Sequence, residues 1–245
     1  MAAADLRRYP RPNVAVDIAI LTALPGRTAE GSGVLAVLLY GPSAPSLGRA
    51  LPGRFLREGQ TVAESVIDVL EVKAGLRKVR AEARLLRVFD DPGRDPRGWT
   101  VSLAHALTLA PRLLHQATGS LVGITTTGEL ESGESLLFDH DSIVREAAAA
   151  IRNRYEQLPD PDGLLEHPFT MAELKGVHES VIGKRLLKDT FRRRMEPHLR
   201  PVMESDGLPV LRSDGGRPAR VFVRDDGVQP SASTPRRFLL PRAER

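Results

Sequence analysis

The pattern of hydrophobic and polar positions divides the chain into a strand-rich first part and a helix-rich second part. In the first part, apolar residues alternate with polar ones or form short unbroken runs, which is typical of strands in a buried sheet. The predicted strands are residues 13–24, 34–40, 81–89, 100–109 and 120–125, and a Gly-rich turn joins the first two. We therefore expect a sheet in this part of the chain.

One amphipathic helix interrupts these strands, over residues 61–75. Thr61 and Glu64 have the spacing of a capping box, in which each side chain bonds the backbone N–H of the other residue. Apolar residues then follow at helical spacing, namely Val62, Val66, Leu70 and Ala74. Gly75 is placed to end the helix, because glycine readily adopts the left-handed conformation found after helix ends.

The periodicity becomes helical after Phe138. A long helix capped by Asp139 or Asp141 is predicted to about Tyr155, and the turn-forming residues 158–163 follow it. The chain therefore divides into a first domain at 8–138, a linking helix at 139–160, a second domain at 161–224 and a disordered tail at 225–245. The tail is rich in Pro, Ser, Thr and Arg, a composition that cannot bury a core.

The second domain has the order of elements of a winged helix-turn-helix. Thr170 and Glu173 form another capping box, and Gly183 is placed to end that helix. Asp189 is predicted to cap a third helix, which Pro197 stops. Strands at 199–203 and 217–224, with a turn at 213–216, are predicted to form a two-stranded ribbon. Helix, helix and ribbon in this order are typical of DNA-binding domains.

Composition excludes several classes of protein. The chain has 245 residues, 41% of them hydrophobic, and its 19 prolines are not periodic, which excludes collagen-like and wholly disordered chains. It has no cysteine, so disulfides, thiolate catalysis and cysteine-ligated zinc are excluded. The longest apolar stretch contains Asp17 and Thr22, so we expect a cytoplasmic protein with no membrane span.

Positive charge is concentrated in one window. The formal net charge is only +4, yet residues 184–200 hold seven basic and two acidic residues. Arginine reads the O6 and N7 atoms of guanine in the major groove of DNA, and lysine suits phosphates. With the ribbon arginines, the candidate DNA contacts are Lys184, Lys188, Thr190, Arg192, Arg193, Arg194, Arg217 and Arg220. The alternatives are a solvated charged helix and an ordinary hairpin end.

Residues 51–76 resemble the Nudix box, a metal-binding loop–helix–loop of hydrolases that cleave nucleoside diphosphates linked to another group. The segments Leu51-Pro52-Gly53, Glu58-Gly59 and Gly75-Leu76 fix the register, and only Leu70, Gly75 and Leu76 match the box. At other defining positions, Arg54 replaces a glycine and Asp68 replaces an arginine. The four glutamates of the box are replaced by Gln60, Val69, Val72 and Lys73.

These replacements remove the chemistry of the box. Magnesium prefers oxygen ligands, normally carboxylates together with the phosphates of a substrate. Valine has no donor atom, and Lys73 places a positive charge where the cation would sit. We therefore expect no enzyme activity, no metal and no cofactor. The alternative for this segment is an ordinary amphipathic helix, with Glu58, Glu64 and Glu71 on a solvated face.

A degenerate box followed by a winged helix-turn-helix resembles the Nudix-related transcriptional regulators of the NrtR type. Five short motifs carry further likeness: Tyr9-Pro-Arg-Pro12 before Val14-Ala-Val-Asp17, Arg94-Asp-Pro-Arg-Gly98, Phe138-Asp-His140, Phe191-Arg-Arg-Arg194 and Gly216-Arg-Pro-Ala-Arg220. The resemblance covers about residues 8–224. It implies an α+β fold, with a Nudix-like α/β/α sandwich around a mixed sheet and a winged helix-turn-helix domain after it.

The resemblance also implies a function. It predicts a homodimeric regulator, a repressor, that binds double-stranded DNA at a palindromic operator. Its Nudix-like domain would sense a nucleotide, ADP-ribose in the members that control NAD metabolism, and effector binding would loosen the DNA. The effector site implied by position comprises Arg54, Phe55, Arg57, Asp95 and Arg97, and no residue is catalytic. Arg54 departs from the family, because a bulky cation stands where the family has glycine.

Two other hypotheses remain open. A Nudix-type nucleoside diphosphate hydrolase with residual or altered activity would release phosphorylated products when a metal is present. A nucleotide-binding interaction module would bind the ligand and have no affinity for DNA.

Overall fold

The computed structural model describes residues 8–26, 33–41, 48–77, 79, 82–213 and 217–225. Four predictions fall partly or wholly outside these residues. They are the Gly-rich turn after the first strand, the start of the strand at Ala81, the turn at 214–216, and the disordered tail from 226 onward.

A mixed sheet forms the centre of the first part of the chain. Its strands are β1 (Asn13–Leu24), β2 (Val34–Leu39), β3 (Gly53–Phe55), β4 (Arg84–Phe89), β5 (Thr100–Thr108) and β6 (Ser120–Gly123). The order is β4-β5-β1-β2-β6, and β3 pairs with β1. β1 and β5 are parallel, whereas the other pairs are antiparallel. The predicted strands are confirmed, but β3 was not predicted because it has only three residues.

One helical segment covers the first face of the sheet. The Thr61 capping box is confirmed, with Glu64 N–H donating to the Thr61 hydroxyl. The helix α1 (Val62–Asp68) is shorter than predicted, because the chain continues as a π-helix, Val69–Lys73, before Gly75 ends it at a φ of 70°. Its buried side chains form a core with those of the sheet, including Val66, Val69, Leu70, Val16, Ile18 and Leu38.

A long helix covers the second face. The helix α2 (His140–Gln157) buries Ile143, Val144, Ala147, Ala148, Ile151 and Tyr155, and it packs against β1, β4 and β5. The result is an α/β/α sandwich, in which α2 is the third layer rather than a mere link. No helix in the described part of the chain is long and apolar enough to cross a membrane.

The predicted caps of α2 are wrong. Asp139 lies at the N-cap position, but its side chain bonds no helix N–H. Its carboxylate instead accepts hydrogen bonds from Arg94, which is distant in sequence. The Asp141 carboxylate accepts from the backbone N–H of Leu136 at 3.1 Å. A distant arginine at Asp139 and the N–H of a preceding loop residue at Asp141 therefore take these carboxylates away from the helix cap.

The second part of the chain is a winged helix. Its helices are α3 (Met171–Ile182) and α4 (Lys188–Met195), and its strands are β7 (Phe169–Thr170), β8 (Leu199–Pro201), β9 (Leu211–Arg212) and β10 (Ala219–Arg224). The Thr170 capping box and the left-handed Gly183 are confirmed. The predicted pairing of the strands at 199–203 and 217–224 is confirmed as β8 with β10, but the sheet is larger than a two-stranded ribbon, since β10 also pairs with β7 and β9. The missed strands β7 and β9 have two residues each, too few for a periodic pattern.

Two details of α4 differ from prediction. The helix begins at Lys188 with Leu187 as N-cap, and no side chain caps it. Asp189 lies in the first turn instead of at the cap, where its negative charge favours the helix dipole. Pro197 lies in a 3₁₀ turn, Glu196–His198, that follows the helix.

A buried joint connects the sandwich to the winged helix. The His178 ring of α3 lies 4.9 Å from the ring of Tyr155 in α2 and 5.0 Å from that of Phe191 in α4. The Tyr155 hydroxyl donates to Asp160 at 2.8 Å, and His178 Nε2 accepts the Asp160 N–H at 3.2 Å. Because Val181 of α3 also lies in the core of the sandwich, the two parts are tied by packing as well.

Candidate ligand pocket and nucleic-acid interface

A cavity of about 550 Å³ lies beside β1, β3 and the π-helix. The five residues proposed for the effector site, Arg54, Phe55, Arg57, Asp95 and Arg97, all lie on its wall. Sequence reasoning did not assign a ligand role to several further wall residues, which are Asp17, Tyr40, Lys73, Arg94, Phe138 and His140. Three of the motifs that carry the family likeness, ending at Asp17, Gly98 and His140, therefore meet at this cavity.

Three substituted positions of the Nudix box form hydrogen bonds with one another, and one of them, Arg54, lies on the cavity wall. Arg54 Nη1 donates to Asp68 Oδ2 at 2.5 Å, and Gln60 Nε2 donates to the same oxygen at 2.9 Å. Arg54, which replaces the glycine of the box, therefore lies against the helix. Asp68, which replaces the arginine of the box, holds it there. The box has kept its loop and helix with a different polar network.

The side chains at the glutamate positions do not fit a magnesium ion. Val69 is fully buried, whereas Val72 is 70% exposed, and neither has a donor atom. The Lys73 ammonium lies 5.2 Å from the centre of the Tyr40 ring. Within the described residues, no group of three or more His, Asp or Glu side chains is arranged to hold a metal.

A buried ionic network forms one side of the cavity. Arg94 donates to both oxygens of Asp139, at 2.6 and 2.9 Å, and reaches Asp17 at 3.5 Å. Asp17 also accepts from the Ser102 hydroxyl at 2.6 Å, and His140 Nε2 lies 3.6 Å from it. Burial alone would raise the pKa of Asp17, but the contacts with His140, Ser102 and Arg94 lower it below its ordinary value. Asp17 is therefore ionised at neutral pH.

A cation lies among aromatic rings on another side. The Arg97 guanidinium lies 4.7 Å from the centre of the Phe138 ring and 5.5 Å from that of Phe55. Two bonds to Asp95, at 2.9 and 2.8 Å, fix its orientation and lower the pKa of that carboxyl group. The exposed Phe55 and the half-buried Phe138 beside this cation suit a ligand with a flat ring and negative charge.

The candidate DNA contacts lie on the surface of the winged helix. All eight are exposed: Lys184, Lys188, Thr190, Arg192, Arg193, Arg194, Arg217 and Arg220. Opposite these, Phe191 and Met195 of α4 are buried in the core of the winged helix. The helix therefore presents one apolar face to the domain and one basic face to solvent.

The three consecutive arginines of α4 have different surroundings. Arg192 donates twice to Glu196, at 3.0 Å each, so its charge is partly neutralised. Arg194 lies on the wall of a second cavity of about 410 Å³, beside Tyr155 and His178. Arg193 is exposed and has no acidic partner within 4.0 Å among the residues that the structure describes.

Comparison with known proteins identifies similarity in both parts of the chain. Residues 163–223 match the family model for the NrtR DNA-binding winged helix domain. The ADPR responsive transcriptional repressor NtrR of Acinetobacter baylyi is 29% identical over 219 residues, which cover 87% of this chain and 82% of that protein. An ADP-ribose pyrophosphatase of Methanocaldococcus jannaschii is 34% identical over 98 residues, covering 40% of this chain and 55% of that protein.

A solved structure has the same arrangement of elements. It is Shewanella oneidensis NrtR complexed with a 27mer DNA, with a TM-score of 0.64 and 24% identity over 86% of this chain and 93% of that chain. This likeness concerns the fold, which is a Nudix-like α/β/α sandwich followed by a winged helix.

Proposed function

We propose that the chain is a sequence-specific transcriptional repressor controlled by a nucleotide, a proposal that starts from the match of residues 163–223 to the NrtR DNA-binding winged helix domain. It acts as a homodimer on a palindromic operator. The Nudix-like sandwich binds the effector without hydrolysing it. The observation that carries the proposal is that one chain holds both a basic helix, α4, and a cation-lined cavity. Helix α2 contacts the cavity at its start and, through Tyr155 and His178, the winged helix near its end.

The recognition helix supports the DNA-binding half of the proposal. Phe191 and Met195 anchor α4 in the core of the winged helix, and its basic face remains exposed to enter a major groove. Arg193 is the best candidate for reading a base, because it forms no ion pair within the described structure that DNA binding would have to break. Lys184 and Lys188 before and at the start of the helix suit phosphates, and Arg217 and Arg220 of the wing suit the adjacent minor groove.

The cavity supports the effector half. Its cations match the phosphates of a nucleotide, and the exposed face of Phe55 offers a surface for a base. Two relatives are named for ADP-ribose, one as a responsive repressor and one as a pyrophosphatase. ADP-ribose is therefore the effector that we propose. Hydrolysis is not part of the proposal, because Gln60, Val69, Val72 and Lys73 stand at the glutamate positions.

Helix α2 is the structural basis that we propose for the response. Asp139 and His140 at its start contact the ionic network of the cavity, whereas Tyr155 near its end contacts His178 in the joint. The 18 residues of α2 make a rigid element of about 27 Å. A ligand that changes the Arg94–Asp139 contact would move this helix and, through Phe191, the recognition helix.

DNA capture tests the proposed function. We expect the purified chain, incubated with sheared DNA from its own organism at about physiological salt, to enrich one inverted repeat with half-sites one helical turn apart. On that site, Arg193→Ala is expected to weaken binding by about 1–3 kcal/mol, because one base contact is lost. Fluorescence anisotropy with the recovered site and with random DNA measures the difference.

The matched control is Arg145→Ala, which removes an exposed arginine from α2, away from the winged helix. It should leave affinity for the site unchanged. If Arg193→Ala instead weakens binding to the site and to random DNA equally, Arg193 contacts only phosphates. Capture of random fragments, lost steeply as salt rises, would contradict specific regulation.

A further inference from the structure

We propose that Lys73 takes the place of the metal ion in this Nudix-like pocket, so that the diphosphate of the ligand binds directly to protein cations and needs no divalent metal. This inference rests on the proposed function, because it assigns the ligand chemistry of the same cavity. It explains why the box has lost its carboxylates and still lines a cavity.

The first observation is the placement of Lys73. It is the last residue of the π-helix, half-buried, and its ammonium lies 5.2 Å from the centre of the Tyr40 ring. Both residues line the cavity. The face of the ring attracts the ammonium and holds it at the cavity wall. The π-helix, with Ala74 N–H bonded to Val69 O, adds a residue to this turn and sets where Lys73 emerges.

The second observation is the charge balance of the wall. The two acidic side chains on the described part of the wall already form ion pairs, since Asp17 contacts Arg94 and Asp95 is held by Arg97. Arg54 is likewise paired with Asp68. Within the described residues, Lys73 and Arg57 line the cavity and form no ion pair with an acidic group. Two uncompensated cations match the two negative charges of a diphosphate.

A magnesium ion would be poorly placed in this wall. It would lie beside an ammonium group and would find no unpaired carboxylate among the wall residues that the structure describes, although it normally uses one or two carboxylates together with substrate phosphates. An ammonium group attracts the diphosphate but, unlike a metal ion, has no coordination site for an activated water. The same substitution therefore permits binding and removes the means of hydrolysis.

The test is calorimetric titration of ADP-ribose into the full chain, first with EDTA and then with magnesium. We expect the dissociation constant to be the same in both. Lys73→Met should weaken binding by about 10- to 100-fold, the range for losing a hydrogen bond to a charged group. Lys73→Arg keeps the charge and should retain most of the affinity. Arg77→Met is the matched control, because Arg77 is exposed, four positions away and outside the cavity wall.

The possible outcomes separate this inference from the function on which it rests. Binding that requires magnesium, or that Lys73→Met and Arg77→Met affect equally, would overturn the role of Lys73 and leave the effector proposal standing. A wild-type chain that binds no ADP-ribose in either buffer would overturn both. Thermal unfolding of each variant identifies any loss that comes from misfolding.

Discussion

Replacing Arg94 with alanine is expected to lower the free energy of unfolding by about 3–5 kcal/mol, the range for removing one partner of a buried ion pair. The side chains of Arg94 and Asp17 are only 3% and 8% exposed, and Asp139 depends on the same guanidinium. The substitution removes the guanidinium that Asp17 and Asp139 share, and Asp17 is deeply buried. Urea denaturation at neutral pH measures the loss.

The matched control for Arg94 is Arg112→Ala. Arg112 also forms an ion pair, with Glu166 at 3.1 Å, but its side chain is 51% exposed and that of Glu166 is 73% exposed. An exposed pair of this kind contributes less than about 1 kcal/mol. Equal losses in the two variants would show that the network beside the cavity adds no stability through burial.

The second large effect is a dependence of stability on pH through His178. Burial lowers the pKa of His178 to about 4 in the folded chain, and the charge of Arg194 acts in the same direction. The unfolded chain binds a proton at this histidine below about pH 6.5, whereas the folded chain does not until near pH 4. The free energy of unfolding should therefore fall as pH falls from 6.5 to 4, by about 3 kcal/mol from this group.

Denaturation at several pH values, with His178→Gln as the variant, isolates this contribution. Glutamine can still accept the Asp160 N–H but does not titrate, so the slope between pH 6.5 and 4 should decrease. His115→Gln, at an exposed histidine, should retain the slope of the wild type. Below about pH 4, further loss is expected from Asp17, whose pKa is lowered and whose stabilising contacts require the ionised form.

The local signals in the sequence predict the local structure well. Both capping boxes, at Thr61 and Thr170, form as their spacing indicates, because each depends on residues three apart. The end of α3 is also set locally, because Gly183 has no side chain and readily adopts the left-handed conformation, with a φ of 76°. By contrast, Asp139 bonds Arg94 across 45 positions, a contact that no local pattern reveals.

The candidate site was predictable only in part. The positions implied by the family likeness lie on one cavity, but the contacts that decide its chemistry, Lys73 with Tyr40 and Arg54 with Asp68, depend on how distant segments pack. One contact could have been found from the sequence. Arg192 and Glu196 are four apart on a helix, which is the spacing of an ion pair.

The central claim is that nucleotide binding in the sandwich controls DNA binding by the winged helix. Its most direct test is the affinity of the full chain for its recovered operator, measured by fluorescence anisotropy with and without saturating ADP-ribose. We predict a dissociation constant about 5- to 150-fold higher with ADP-ribose, the usual range of coupling between two sites. An unchanged dissociation constant, under conditions where calorimetry shows that ADP-ribose is bound, would contradict the account.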